Sequence, residues 1–168
     1  DYVAKGLHAE AKTLLEKISN LTTGEGKLEL QTQLATICVE LGAHAEAEAL
    51  LETLLSKAVT PRLRADALFA KAALLFHQGQ VANAAELLVE ISELELDYSE
   101  RDRYQLIFLR SQVAFYQNQF AEVKKILTPL LGELRRKAPS QELVRTLPDM
   151  GVACEELGEH PEGKKYLQ

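Results

Sequence analysis

The sequence predicts an all-α fold, an α-solenoid of antiparallel helix pairs, and three observations predict it. A word of sequence recurs at a near-constant period, apolar residues in each copy are spaced by three and four, and a glycine or its closest substitute separates the paired helices. The word "GLHAEAKTLLEKI" at residues 6–18 returns as "GAHAEAEALLETL" at 42–54, keeping Gly, His, Ala, Glu, Ala, Leu, Leu and Glu in order. It recurs as "GQVANAAELLVEI" from Gly79, "NQFAEVKKILTPL" from Asn118 and "GEHPEGKKYLQ" from Gly158, at spacings of 36, 37, 39 and 40 residues. A period of that size, in units too small to bury their own apolar faces, marks stacked repeats. No segment reads as a strand.

The elements follow in order. Approximate units are 1–23, 24–58, 59–97, 98–138 and 139–168, all in one repeat domain. The first unit places Gly6 at a turn, so the chain opens near the end of one helix and closes inside another. That phase predicts a fragment whose free ends are covered by flanking repeats, another domain or self-association. First helices are predicted over 27–41, 61–78, 100–117 and 140–157, with Thr60 ahead of Pro61, Ser99 and Ser140 as caps. In the second helices Ala47, Leu50, Leu51 and Leu54, like Ala84, Leu87, Leu88 and Ile91, form one inward stripe. Gly42, Gly79 and Gly158 hold the intervening turns, where a left-handed backbone is needed, and Asn118 replaces glycine once.

Two columns of small residues accompany these turns. Seven positions before each stand Ala35, Ala72, Ser111 and Gly151, and five after come Ala11, Ala47, Ala84, Val123 and Gly163. Small side chains in both columns let paired helices approach closely, and added bulk would strain the stack by about 1–3 kcal/mol. A small residue seven before a Gly, an Ala five after it and a large apolar residue four further on resemble the tetratricopeptide repeat. Tyr2 and Phe120 match aromatic positions of that family. The resemblance spans nearly the whole chain and implies a right-handed superhelix. The units depart from it by exceeding the family's usual length of about 34 residues. Lys71 and Arg110 also stand where the family has apolar residues. Longer helices or looser connections such as "KISNLTTGEGK" absorb the extra length.

Composition limits the function. With 168 residues, 46% apolar and 26% charged, the chain can bury a proper core. A net charge of -6 and a pI near 5.3 argue against direct nucleic-acid binding. The basic run Arg135, Arg136 and Lys137 falls at a helix end, where it complements the helix dipole. No apolar run approaches a bilayer span of about 20 residues, and "DYVAKGLHAE" lacks the order of a signal peptide. Cys38 and Cys154, far apart in apolar helical contexts, read as buried thiols of a reducing, cytoplasmic setting. The compartment is otherwise open.

Candidate chemistry is sparse. "GEGK" at 24–27 imitates a phosphate loop, but Leu21 stands where a glycine is required and Leu28 where a hydroxyl would hold magnesium; a capped interhelix loop fits better. His8, His44 and His160 share a column without converging co-ligands, which suits partly buried imidazoles beside the turn rather than a metal site. The Asn20-Leu21-Thr22 sequon has no accompanying sign of secretion. Glu155 and Glu156 form an acidic pair without nucleophile or oxyanion site. The expectation is a protein that is not an enzyme and uses no cofactor or metal.

The resemblance implies a concave face lined by first helices, which in that family receives peptides, helices or loops. Its columns here hold Thr32, Thr36 and Val39, then Phe69, Ala73 and Phe76, then Phe108, Gln112 and Phe115, then Pro148, Val152 and Glu155. Four of the five phenylalanines fall in two adjacent columns, each pair seven apart on one helix face, while the Leu68, Ala72, Leu75 and Ile107, Ser111, Ala114 stripes supply packing. Two readings stay open: the rings fill the space between successive first helices, or they line an apolar groove for a protein or peptide. The chaperone-binding carboxylate clamp of the family needs Lys, Asn and Arg where this chain has Thr32, Thr36, Phe69, Ala73 and Phe108. The functional expectation is a noncatalytic interaction scaffold. The alternatives are a partner- or ligand-sensing regulatory segment of a larger transcriptional or signalling protein, and an assembly surface filled by another copy.

Overall fold

The computed structural model describes residues 2–57, 60–94, 96–136 and 141–167. Among them are nine helices and no strand: α1 (Tyr2–Leu21), α2 (Gly24–Glu40), α3 (His44–Lys57), α4 (Pro61–His77), α5 (Val81–Glu93), α6 (Glu100–Tyr116), α7 (Phe120–Leu134), α8 (Gln141–Glu156) and α9 (His160–Leu167). They divide between two compact units, Asp1–Leu96 and Asp97–Gln168. In the first unit each of α1 to α4 packs on the next, and α2 also meets α4; in the second, α6 to α9 pack in sequence and α6 also meets α8. First helices thus contact each other within each unit as well as their own hairpin partners.

The hairpin corners share one geometry. Gly42, Gly79 and Gly158 have φ of +75°, +76° and +77°, and Asn118 has +57°, the left-handed region that side chains disfavour. At each corner two amides turn back onto the helix just ended. Gly42 and Ala43 donate to the Val39 and Cys38 carbonyls at 3.0 and 2.8 Å. Gly79 and Gln80, Asn118 and Gln119, and Gly158 and Glu159 repeat the pattern on Phe76 and Leu75, Phe115 and Ala114, and Glu155 and Cys154. This paired capping satisfies carbonyls the helix end would otherwise orphan and starts the next helix at once.

The small columns lie inside the hairpins. Ala35, Ala72 and Ser111 are fully buried, as are Ala47, Ala84 and Val123. In the α8–α9 hairpin a Cβ added at Gly163 would stand 3.1 Å from the Gly151 carbonyl oxygen and 2.8 Å from Glu155 Oε1. Backbone therefore approaches backbone where both columns are glycine. Around these contacts the first unit buries Leu34, Leu51, Leu54 and Leu74, and the second Leu127, Leu130, Leu131 and Met150.

Several local expectations meet their structural outcome. Thr60 accepts from the Leu63 amide and Ser99 from the Asp102 amide, capping α4 and α6. Ser140 and Lys137 lie outside the described residues. Gly6 forms no corner, because α1 runs unbroken through it. The "GEGK" segment is not a loop but the first turn of α2, entered through Gly24 at φ +68°. The connection "KISNLTTGEGK" is consequently mostly helical, leaving Thr22 and Thr23 as the link, so longer helices account for the extra length there.

Candidate partner-binding face

The predicted face is built from first helices, and each unit presents its own portion. In the first unit, α4 is buried over most of its circumference, with Leu63, Ala65, Ala67, Leu68, Ala70, Ala72 and Leu74 all in the interior. Phe69, Ala73 and Phe76 occupy the remaining strip and are half-buried. Ala73 leans on the core of its unit, and the Phe76 ring meets His77 edge-on at 6.0 Å between centroids. Thr36 is exposed, its hydroxyl donating to the Thr32 carbonyl at 3.1 Å. Val39 does not belong to this surface. It is 4% exposed within the core, because the close α2–α4 contact covers that part of α2. Thr32 is likewise buried, donating to the Leu28 carbonyl.

The second unit carries a more polar strip. Phe108 is half-buried beneath the Arg145 guanidinium, 4.1 Å from the ring centroid, a cation–π contact between α6 and α8. Gln112 Nε2 donates to Asp149 Oδ2 at 2.5 Å. Burial raises the Asp149 carboxyl above its ordinary range, opposed by that hydrogen bond and by Arg145. Phe115 packs against the core and stacks edge-to-face on Phe120 across the corner, centroids 5.6 Å apart. Pro148 is exposed, Val152 half-buried, and Glu155 holds His160 Nδ1 at 2.7 Å. The strip also holds Arg145 and Asp149, which lie outside the predicted columns. Both belong to α8, one turn before Pro148 and Val152, so helical periodicity from those two predicted positions reaches them.

The three column histidines do not share one environment. His8 and His44 are half-buried, whereas the His160 side chain is 65% exposed.

Both thiols are fully buried and free. Each stands four residues before its corner and beneath the same arrangement of charge. In the first unit Lys12 Nζ lies 2.6 Å from Glu46 Oε2, in the second Lys124 pairs with Glu159 and, at 3.1 Å, with Glu162. Each lysine sits six residues after a turn position of the repeat register, and Glu46 and Glu162 sit four after the next. Burial pushes the Cys38 thiol up to about 11, with Glu46 adding to the effect and Lys12 opposing it; Cys154 is raised for the same first reason. Cys154 Sγ and the Glu159 and Glu162 carboxylates lie within 4.8 Å of one another. The Lys124 ammonium bridges both carboxylates, so the cluster is an internal ion triad over a thiol. Arg136 Nε donates to the Gly132 carbonyl at 3.0 Å, which places Arg135 and Arg136 at the end of α7. Among the described residues no helix is long and apolar enough to cross a membrane.

Comparison with family models and with curated proteins returned no match. Solved structures do match. One is that of a protein from Podosopora anserina, assigned as a kinesin light chain with nearly identical tetratricopeptide-like repeats; it is 21% identical with a TM-score of 0.69, covering 99% of this chain and 86% of that one. A single-residue variant of the same protein is similar at 20% identity and TM-score 0.70, with the same coverage. Together with nine helices joined by recurring corners, the likeness establishes the fold: the chain is an all-α repeat protein of tetratricopeptide-like architecture, a fold typical of protein-interaction scaffolds.

Proposed function

We propose that the chain is a noncatalytic scaffold that holds a peptide or helix of a protein partner on its first-helix strips. Thr36, Phe69, Ala73 and Phe76 form the recognition strip of the first unit, and Phe108, Gln112 and Phe115 that of the second. The observation that carries this reading is α4. Its core-facing positions are already filled by buried Leu68, Ala72 and Leu74, yet Phe69 and Phe76 stand half-buried, seven residues apart, on the strip that remains. Half-exposed aromatic rings on a rigid helix lose little entropy on binding and give a partner large apolar area to cover.

Displayed-peptide selection on the 168-residue chain supplies a ligand, and titration measures it. Phe69→Ala with Phe76→Ala is expected to weaken the selected peptide by about 10–100-fold, while circular dichroism stays helical. Phe115→Ala is a poorer probe, because its ring supports Phe120. Unchanged affinity in the Phe69/Phe76 variant, with the helical signal intact, would remove α4 from the binding face.

A further inference from the structure

The first-helix face of the first unit carries its charge on one side. Helix α2 presents Glu25, Glu29, Thr36 and Glu40 to solvent, spaced so that they share one stripe. The same columns are open on later first helices: Gln105 and Tyr116 of α6, the equivalents of Glu29 and Glu40, are exposed as well. The exposure of the stripe is therefore a property of the repeat position. Glu25 suits the positive first turn of α2. Glu40 does not suit its place, because it is the last residue of the helix, at the negative end of the dipole, in a final turn with no basic residue. A carboxylate there works against its own helix, which points to a demand from outside the fold.

No cation answers the stripe. None of the three glutamates meets one among the described residues. Of the cations on α2 and α4, Arg62 is held by Asp66 at 3.1 Å and Arg64 by Glu90 at 2.7 Å. Lys27 and Lys71 lie about half a turn round their helices from the stripe. His77 closes α4 at the position matching Glu40, its ring edge-on to Phe76. Helices α2 and α4 pack on each other through buried Val39 and Ala70. The acidic stripe and the Phe69, Ala73 and Phe76 strip therefore open side by side, about 8–10 Å apart, one helix spacing.

We infer that the first unit takes a basic, amphipathic segment of its protein partner. Large apolar side chains of that segment cover Phe69, Ala73 and Phe76, while its Lys or Arg side chains reach across to Glu29 and Glu40. A segment with an acidic margin would set like charges against the stripe and is repelled. This rests on the recognition role proposed for the α4 strip and adds the partner's charge to it.

Peptides selected from a displayed random library on the 168-residue chain at about 150 mM salt, then titrated at about 50 and 500 mM, test it. The expected peptides carry net positive charge, bind about tenfold more weakly at the higher salt, and lose about tenfold on Glu29→Lys/Glu40→Lys. Glu48→Lys/Glu52→Lys, the same charge change on exposed positions of α3, is expected to alter affinity less than about threefold. Circular dichroism stays helical in both variants, because all four glutamates are exposed. Neutral or acidic peptides, affinities indifferent to salt, or equal effects in the two charge variants overturn this inference; the scaffold reading then stands if Phe69→Ala/Phe76→Ala still weakens the peptides. No selected binder, or one indifferent to those phenylalanines, removes both.

Discussion

Residues 6–18 and 42–54 are nearly the same sequence, yet Gly42 turns a corner at φ +75° while Gly6 lies within the unbroken helix α1. What differs is whether the helix ends at the glycine. Before Gly42, α2 ends with the Cys38 and Val39 carbonyls positioned to accept from Ala43 and Gly42. Before Gly6 the backbone is already helical and continues so. A glycine permits the left-handed residue, and the helix it terminates supplies the reason to use it. The same contrast extends to packing: α3 is covered by α2 along Ala47, Leu51 and Leu54, whereas the corresponding strip of α1 is partly open.

The largest effect should come from the column that the two segments share. Leu51 is 1% exposed, and Leu51→Ala is expected to cost about 2–5 kcal/mol, since the α2–α3 hairpin cannot collapse into the vacated volume. Leu15→Ala, half-buried in the same register, should cost about 1 kcal/mol. Urea unfolding of both variants at low protein concentration checks the ratio. Equal losses would mean that α1 is as well covered as α3 and would erase the contrast.

That contrast also marks how far sequence alone reaches. Corners at Gly42, Gly79, Asn118 and Gly158 were legible because a left-handed residue leaves a specific trace, as does the small residue seven positions earlier. Gly6 was not, because an identical word carries no record of what precedes it. Helix faces were harder. In α4 nearly every position is apolar, so periodicity cannot say which side packs, and in α2 the same ambiguity put buried Val39 on the predicted surface. The Arg145–Phe108 contact, the Gln112–Asp149 hydrogen bond and the lysine–glutamate pairs over Cys38 and Cys154 join residues from different helices, which local spacing does not bring together.

Next in size are the two glycines, which should respond with opposite signs. Gly42→Ala forces a side chain into a left-handed residue and is expected to cost about 1–2 kcal/mol. Gly6→Ala meets no atom within 4 Å and replaces a flexible residue in a helix, so it should stabilise by about 0.5–1 kcal/mol. Thermal unfolding of the pair reads the sign directly. A destabilising Gly6→Ala would show that α1 breaks at that residue in solution.

A smaller effect belongs to the alkaline side. Cys38 titrates near 9.0 when free and is pushed up to about 11 by burial, so the folded state favours the thiol. The stability this provides is complete below pH 9 and drains away as pH rises toward 11. Denaturation midpoints measured across that window should fall. Cys38 should also alkylate at least ~100-fold more slowly than a free thiol at neutral pH, where almost no thiolate forms. Rapid alkylation would place Cys38 outside the α2–α3 interior.

Lys12 gives the smallest and most diagnostic change, because it links the two similar segments directly. Its ammonium reaches Glu46 of α3 at 2.6 Å, and that hydrogen bond raises its pKa. The resulting stability is present below the unfolded lysine value and is lost as pH climbs through the raised one. Both side chains are partly in water, 24% and 44% exposed, so screening limits the pair. Lys12→Met should therefore cost no more than about 0.5 kcal/mol in low salt, and less at about 1 M salt, where exposed charges are largely screened. A loss that persists unchanged at high salt would assign the contribution to the lysine stem lying on α3 rather than to its charge, and the tie between the segments would then be apolar packing.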